Sequence, residues 1–227
     1  MKSPSRDDAV GVRPYVMSQR ARTTAATGER ILESTVQLFV ELPYHLLTLG
    51  AIAARAGVTV QTVIRRFGDK ESLVAQAAQH QAGKVIEQRS ACTVGDLGAA
   101  VDNLLDHYAE AGDIALRLVA EEDSSPTVAD ITALGRSYHR DWCARVFAPT
   151  LEGLTGATRD RRLAQLVAVC DVYTWKLLHR DAGLSRRQTR TALLELLEPL
   201  TTSPRDTVAS GEPRHTQPCR PDPASPS

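Results

Sequence analysis

Seven side chains between Thr48 and Lys70 have the chemistry to engage a ligand that is anionic along its backbone and patterned along its edges. Thr48, Thr59 and Thr62 bring hydroxyls, Gln61 an amide that donates and accepts, and Arg65, Arg66 and Lys70 positive charge. A glutamine amide makes two hydrogen bonds to an adenine edge and an arginine two to guanine. A threonine bonds a phosphate or touches a thymine methyl. This is the chemistry of reading the major groove of double-stranded DNA, provided that the residues share one exposed face.

The segment LGAIAARAGVTVQTVIRRFGDKESL, residues 49–73, supplies elements able to build that face. Thr48 is a good N-cap for a short helix whose inward residues Leu49, Ile52, Ala53 and Ala56 lead to Gly57, a natural C-terminal stop. Thr59 caps a second short helix ending at Gly68, with Val60, Val63, Ile64 and Phe67 on its two faces. Ala56 is small enough for the helices to cross closely, Gly57 permits a left-handed backbone and Val58 plugs the core. That combination specifies a helix-turn-helix, which leads with the N-terminal end of its second helix. In front of it, Ile31, Leu32, Thr35, Val36, Leu38 and Phe39 recur at helical spacing and predict a helix over 25–41 closed by Pro43.

Downstream, Asp69 can cap a long helix over 72–94. Further helices are expected at 95–111, 113–123, 127–151, 158–182 and 186–201, broken near Gly112, the Asp-Ser-Ser-Pro stretch at 123–126, Gly153 to Gly156, and Gly183. Alternating β-branched runs and hairpin turns are missing, so the expected fold is all-α. The expected organisation is a disordered basic arm (1–23), a helix-turn-helix domain (24–70), a helical effector-binding and dimerisation domain (71–202) and a disordered Pro-rich tail (203–227).

Lys plus Arg and Asp plus Glu are 27 each in 227 residues, so no global field marks the chain for nucleic acid. The charge is local: seven basic residues face four acidic ones between Arg20 and Lys70. The absence of a signal-like apolar run and of any stretch approaching the ~20 apolar residues of a membrane span points to the cytoplasm, with no membrane partner. Cys92, Cys143, Cys170 and Cys219 are scattered and read as reduced structural thiols. The six histidines form no metal-ligand motif, and neither a phosphate loop nor a nucleophile elbow is present. No catalytic residue, metal or cofactor is therefore assigned.

The run RILESTVQLFVELPYHLLTLGAIAARAGVTVQTVIRRFGDKESL, 30–73, resembles the tetracycline-repressor (TetR) family of transcriptional regulators. The match rests on Ile31-Leu32, Leu38-Phe39, Thr48, Ile52-Ala53, Ala56-Gly57-Val58, Thr62, Phe67 and Lys70-Glu71-Ser72-Leu73. The resemblance implies that Thr48 and Lys70 bond DNA phosphates and that residues 59–66 form the recognition helix, making Thr59, Val60, Gln61, Thr62, Ile64, Arg65 and Arg66 its DNA-facing set. Two positions depart from the family: Ile64 stands where an aromatic is usual, and Pro43 where a glycine is usual.

The resemblance extends more weakly to 168–200, similar to the final two helices that pair with their twins in family dimers. Leu166, Cys170, Tyr173 and Leu177 form one stripe, and Leu193 and Leu197 belong to a leucine-rich second helix. All six are expected at a homodimer interface. Tyr108, Tyr138, Trp142 and Tyr173 are the aromatic candidates for a small-molecule effector pocket. The expectation is a one-component regulator, a repressor that binds a palindromic operator as a dimer and is released by a small-molecule effector. The alternatives are an effector-independent DNA-binding or helical assembly protein and, more distantly, a helical enzyme.

Overall fold

The computed structural model describes the backbone of residues 12–202 and side chains from residue 21 onward. All regular elements among the described residues are helical. The first, α1 (Val12–Glu41), begins well before residue 25, so 12–23 is helical where a disordered arm was expected; residues 1–11 and the tail from 203 lie outside the described residues. Pro43 stops α1 and opens a single 3₁₀ turn, Tyr44–Leu46, that buries Tyr44. Then follow α2 (Leu49–Ala56), α3 (Val60–Phe67) and α4 (Lys70–Ser90). The body consists of α5 (Leu97–Ala120), α6 (Pro126–Val146), the short α7 (Ala148–Leu151), α8 (Gly156–Val169), the short α9 (Val172–Trp175) and α10 (Arg186–Thr201).

Two apolar cores result. One gathers Ile31, Phe39, Leu47, Ile52, Val63, Phe67 and Leu73 around α1–α4, and the other gathers Leu104, Tyr108, Trp142, Leu166, Trp175, Leu193 and Leu197 in the body. They are not independent. Val128, on α6, is fully buried in the first core, with Leu118 and Ile131 packed against it. The Arg117 side chain also reaches from α5 to the Val40 carbonyl, donating from Nη2 at 3.0 Å. Helix α4 enters both units: Leu73 and Val74 are buried near its start and Arg89 near its end.

The expected break at Gly112 does not occur, and α5 runs on to Ala120. Gly112 is there for contact: a Cβ would lie 2.7 Å and 2.8 Å from two ring carbons of the buried Trp175. The real break comes within the helix expected over 158–182, at Cys170 and Asp171. Asp171 leaves helical geometry, and its carboxylate accepts from the Tyr173 backbone N–H at 2.8 Å, starting α9 afresh. The chain then widens into one π-helical turn, Lys176–Asp181. Polar pairs set the register of α10 and this turn against α5, where Asp102, Asp106 and Asp113 meet Arg190, Arg186 and Arg180 at 2.8, 2.8 and 2.9 Å. These pairs are exposed, so they fix alignment more than they stabilise.

Replacing Gly112 by Ala sets two effects against each other. Ala favours a helix interior by about 1 kcal/mol over Gly, whereas crowding a close-packed ring costs about 1–3 kcal/mol. With two ring atoms inside contact distance, crowding should win. Gly112→Ala is expected to lower unfolding stability by about 1 kcal/mol or more in urea titrations, and a stabilised variant would show that Trp175 can slide aside.

Candidate nucleic-acid interface

The carrier of the site is α3, and its placement starts with the end of α2. Gly57 is left-handed, at φ 65°. Its N–H donates to the Ala54 carbonyl at 3.2 Å and that of Val58 to the Ala53 carbonyl at 3.0 Å, the two-bond helix ending that a left-handed glycine allows. The carbonyl of Ala56, the last residue of α2, accepts from Arg30 Nε on α1 at 2.8 Å. Thr59 then starts α3, its hydroxyl accepting from the Thr62 N–H at 3.2 Å and lying 2.9 Å from the Thr62 hydroxyl. Val63 and Phe67 turn inward as the anchors of α3.

This burial leaves a consistent outer face. Gln61, Arg65, Val60 and Ile64 are all exposed, the two aliphatics by 41% and 43%. Gln61 and Arg65 stand one turn apart on that face, and Arg65 has no ion-pair or hydrogen-bond partner among the described residues. Ile64, at the position where an aromatic was expected, offers an apolar surface with no hydroxyl. Thr48 is exposed as well, and its hydroxyl accepts from the Ala51 N–H at 3.1 Å as the N-cap of α2.

Two basic residues of the predicted set are differently committed. Arg66 does not project from the face with Arg65. Its guanidinium lies across Gly28 of α1, where any Cβ would overlap it, and donates from Nη1 to the Thr24 carbonyl at 2.9 Å. Arg66 therefore ties α3 to α1. Lys70 donates to the Tyr44 carbonyl at 3.1 Å and sits 3.8 Å above the centre of the Tyr44 ring. Tyr44 in turn donates its hydroxyl to Glu71 at 3.0 Å, and burial raises its pKa. Asp69 caps α4, and the Ser72 N–H holds its carboxyl below the usual carboxylate range.

The residues missed in the sequence are thus positioning ones: Gly28, Arg30 and Tyr44. The paired partners Arg55 and Glu41, joined through both guanidinium nitrogens at 2.6 and 2.5 Å, complete the frame. Only Gly28 carried a local signal, as a glycine inside a helical stretch. The contacts of the others are set by tertiary packing.

The remaining predicted sites need correction. Leu166, Cys170, Leu193 and Leu197 are wholly inside the body core, which removes them from any interface between copies of this chain. Their stripe faces inward because α8, α9 and α10 pack on α5 and α6. Tyr173 and Leu177 stay outside at 49% and 61% exposure, joined by Leu196 at 47%. The four aromatic pocket candidates do not converge either. Tyr108 is buried and donates its hydroxyl to the Cys170 carbonyl at 2.8 Å, Trp142 is buried and donates to the Arg89 carbonyl at 3.2 Å, Tyr138 is half-buried, and Tyr173 faces solvent. Two open grooves, of about 430 and 270 Å³, lie elsewhere: one beside Val94, Ala148 and Arg159, the other beside Val40, Leu116 and Arg117. Cys92, Cys143 and Cys170 are buried and unpaired as disulfides. Cys219 lies outside the described residues. No helix among the described residues is long and apolar enough to cross a membrane.

Comparison with known proteins matches residues 31–77 to the family model described as bacterial regulatory proteins, tetR family. An HTH-type transcriptional regulator of Bacillus subtilis strain 168, YvkB, itself uncharacterized, is 39% identical over 74 residues. That stretch is 31% of this chain and 37% of YvkB, so the chain spans little more than a third of this relative. The fold extends further. A transcriptional regulator from Rhodococcus sp. Rha1 superposes with a TM-score of 0.60 at 21% identity, covering 78% of this chain and 99% of its own. A Saccharomonospora viridis protein of similar description, crystallised with choline, gives 0.59 at 19% identity over 77% and 96%. A left-handed glycine between two short capped helices, the exposed face of α3 and the family match converge on one segment: residues 31–77 are similar to the bacterial regulatory proteins of the tetR family.

Proposed function

We propose that the protein is a transcriptional repressor that binds a palindromic DNA operator as a homodimer and releases it when a small-molecule effector occupies the helical body. The observation that carries this reading is the outer face of α3, where Gln61 and Arg65 project together from a helix held on its other side by Val63, Phe67 and Arg66. Gln61 and Arg65 read base edges, Ile64 and Val60 make apolar contacts such as those to thymine methyls, and Thr59 and Thr62 lie nearest the leading end. Thr48, and Lys70 where it rests on Tyr44, take the backbone phosphates.

One such helix spans too few bases for a specific site, so two copies are required. A two-fold dimer places equal half-sites about 34 Å apart. The exposed Tyr173, Leu177 and Leu196 supply the apolar patch for that contact. They replace the buried leucines that the sequence suggested.

Release follows from the shared helix. At 21 residues α4 is about 30 Å long, with the recognition unit at its start and the body core at its end. A tilt of about 7° displaces one end by about 4 Å relative to the other, enough to spoil bidentate base contacts. An effector that fits the tilted state better shifts the population toward it, by no more than its differential affinity for the two states.

Selection of bound sequences from a random DNA pool should enrich a palindrome for the full chain. Gln61→Ala should relax preference at one base position per half-site at a cost of about 1–3 kcal/mol. Arg65→Ala should weaken binding by a comparable amount, and a salt slope shallower by about one per half-site would mark its contact as a phosphate rather than a base. An unchanged consensus and affinity in both variants would rule out α3 as the reading element. Leu177→Glu should convert dimer to monomer in light scattering and abolish tight operator binding while leaving thermal stability nearly unchanged. A dimer that survives this change would place the interface elsewhere.

A further inference from the structure

Near the end of α4 the body core contains a charge without a counter-charge. The Arg89 side chain is 2% exposed. Among the described residues none of the ion pairs includes it, so no carboxylate oxygen lies within 4 Å of its nitrogens. Its guanidinium rests 4.0 Å from the centre of the Trp142 ring. Nη2 makes one long contact, 3.5 Å, with Nδ1 of His139. Nε is buried and has no hydrogen-bond partner at all.

The surroundings bring no counter-charge to the guanidinium. His139 points its other ring nitrogen at the Val167 carbonyl, 3.3 Å away, and at the Cys143 thiol, 3.8 Å away, so the imidazole stands between that thiol and the guanidinium. His107, largely buried on α5, is held neutral: burial first, then the charges of Arg89 and His139, lower its pKa to about 3. On the seam between α4 and α5 two amide oxygens, Gln88 Oε1 and Asn103 Oδ1, are also buried without partners; they are acceptors and do not add to the positive field. A wholly buried arginine is normally paired, because an isolated charge in an apolar interior is strongly unfavourable.

The identity of the missing partner follows from which edge is vacant. Nε and Nη2 form the side of a guanidinium that grips the two oxygens of one carboxylate. The protein uses that edge elsewhere: Arg190 takes Asp102 through Nε at 2.8 Å and Nη2 at 3.1 Å. In Arg89 the same edge is unfilled and faces groups that offer it almost nothing.

We propose that the Nε–Nη2 edge of Arg89 is the anchor for the carboxylate of a small organic acid, with Trp142 and His139 beside it, and that this acid is the effector. The second half rests on the effector reading above. Neither open groove includes Arg89, so admission of the acid requires the last turn of α4 to move relative to α5 and α6. Movement of α4 is the displacement that reaches the recognition unit. The site also selects by sign, since a buried guanidinium repels a quaternary ammonium such as the choline held by the Saccharomonospora viridis protein.

The test uses the full chain, with thermal unfolding and calorimetry against acetate, benzoate and octanoate. Their uncharged partners are acetamide, benzamide and octanamide, all at constant ionic strength. At least one acid should bind about tenfold or more tightly than its amide, and that margin should vanish in Arg89→Met. Without ligand, Arg89→Met should melt above the wild type, because an apolar chain of similar length replaces an unpaired buried charge. If every acid binds no better than its amide, or the margin survives in Arg89→Met, the proposal is overturned. Should Arg89→Met fail to fold, Arg89→Lys keeps the charge but lacks the fork; a margin undiminished there also overturns it. Operator binding measured on the same samples separates the two readings. Acids that bind through Arg89 without changing operator affinity leave the carboxylate site standing and remove its effector role. Operator release by choline or an amide, with no acid binding, keeps an effector and removes the carboxylate site.

Discussion

Three residues, Gly57, Val58 and Thr59, must reverse the chain between α2 and α3 without leaving a buried carbonyl or amide unpaired, and the rest of the site depends on how they do it. The left-handed Gly57 lets two backbone N–H groups return to the end of α2, and Arg30 reaches across from α1 to the Ala56 carbonyl. Thr59 caps the next helix at once. The amides of Gly57, Val58 and Thr62 and the Ala56 carbonyl at the corner are thereby satisfied within a few residues. Because the angle between the helices is fixed by these bonds, Val63 and Phe67 have one way to face the core. Gln61 and Arg65 then have one way to face out.

The same economy joins the recognition unit to the body. An N-terminal unit of this size, folded alone, would have a small core. Here that core borrows Val128 from α6 and is tied at Val40 by Arg117. Helix α4 is built into the first core at Leu73 and Val74 and lies against Trp142 of the second through Arg89, so a shift of one unit bears on the other. Close-packed contacts of this kind favour a few discrete arrangements over continuous bending. Coupling between a ligand in the body and the spacing of two recognition helices therefore needs no separate hinge.

What could be read from the sequence divides along the line between local and tertiary causes. Thr48, Gly57, Thr59, Gly68 and Asp69 act on their own neighbours in the chain: α2 and α3 lie between the caps the sequence names, and α4 starts two residues before the expected Ser72, although it stops at Ser90, four residues short of the expected end. Gly112 misled because a glycine has two uses in a helix, to end it or to admit a neighbour, and only the position of Trp175 decides between them. Asp171 was illegible for the converse reason. Its neighbours are apolar at helical spacing, and only the placement of its carboxylate shows that a new helix starts. The stripe from Leu166 to Leu177 combined residues from both sides of that break, so half of it is core and half is surface. Arg89 looked like one more polar residue on a long helix, because burial is not a property of a residue type.

The distribution of charge shows why a neutral chain suits this arrangement. Five arginines of the body are ion-paired where they stand: Arg180, Arg186 and Arg190 with aspartates of α5, Arg136 with Glu122 and Arg117 with Glu121. In the recognition unit the local excess is also mostly committed. Arg55 is paired with Glu41, Arg30 and Arg66 bond carbonyls, and Lys70 rests on Tyr44. The guanidiniums bonded to carbonyls keep their charge, so they still contribute to the field, but they are not free to follow a phosphate. Arg65 on the outer face and Arg22 on α1 have no such partner among the described residues. Non-specific affinity grows with the number of phosphates neutralised, each raising the dependence on salt by close to one power. On the reading proposed above, a unit with few free cations among its described residues would hold random DNA weakly, and specific binding would come from two recognition helices acting together. Occupancy would then be sensitive to the spacing of the pair, and α4, which joins the recognition unit to the body, is the element through which that spacing would change.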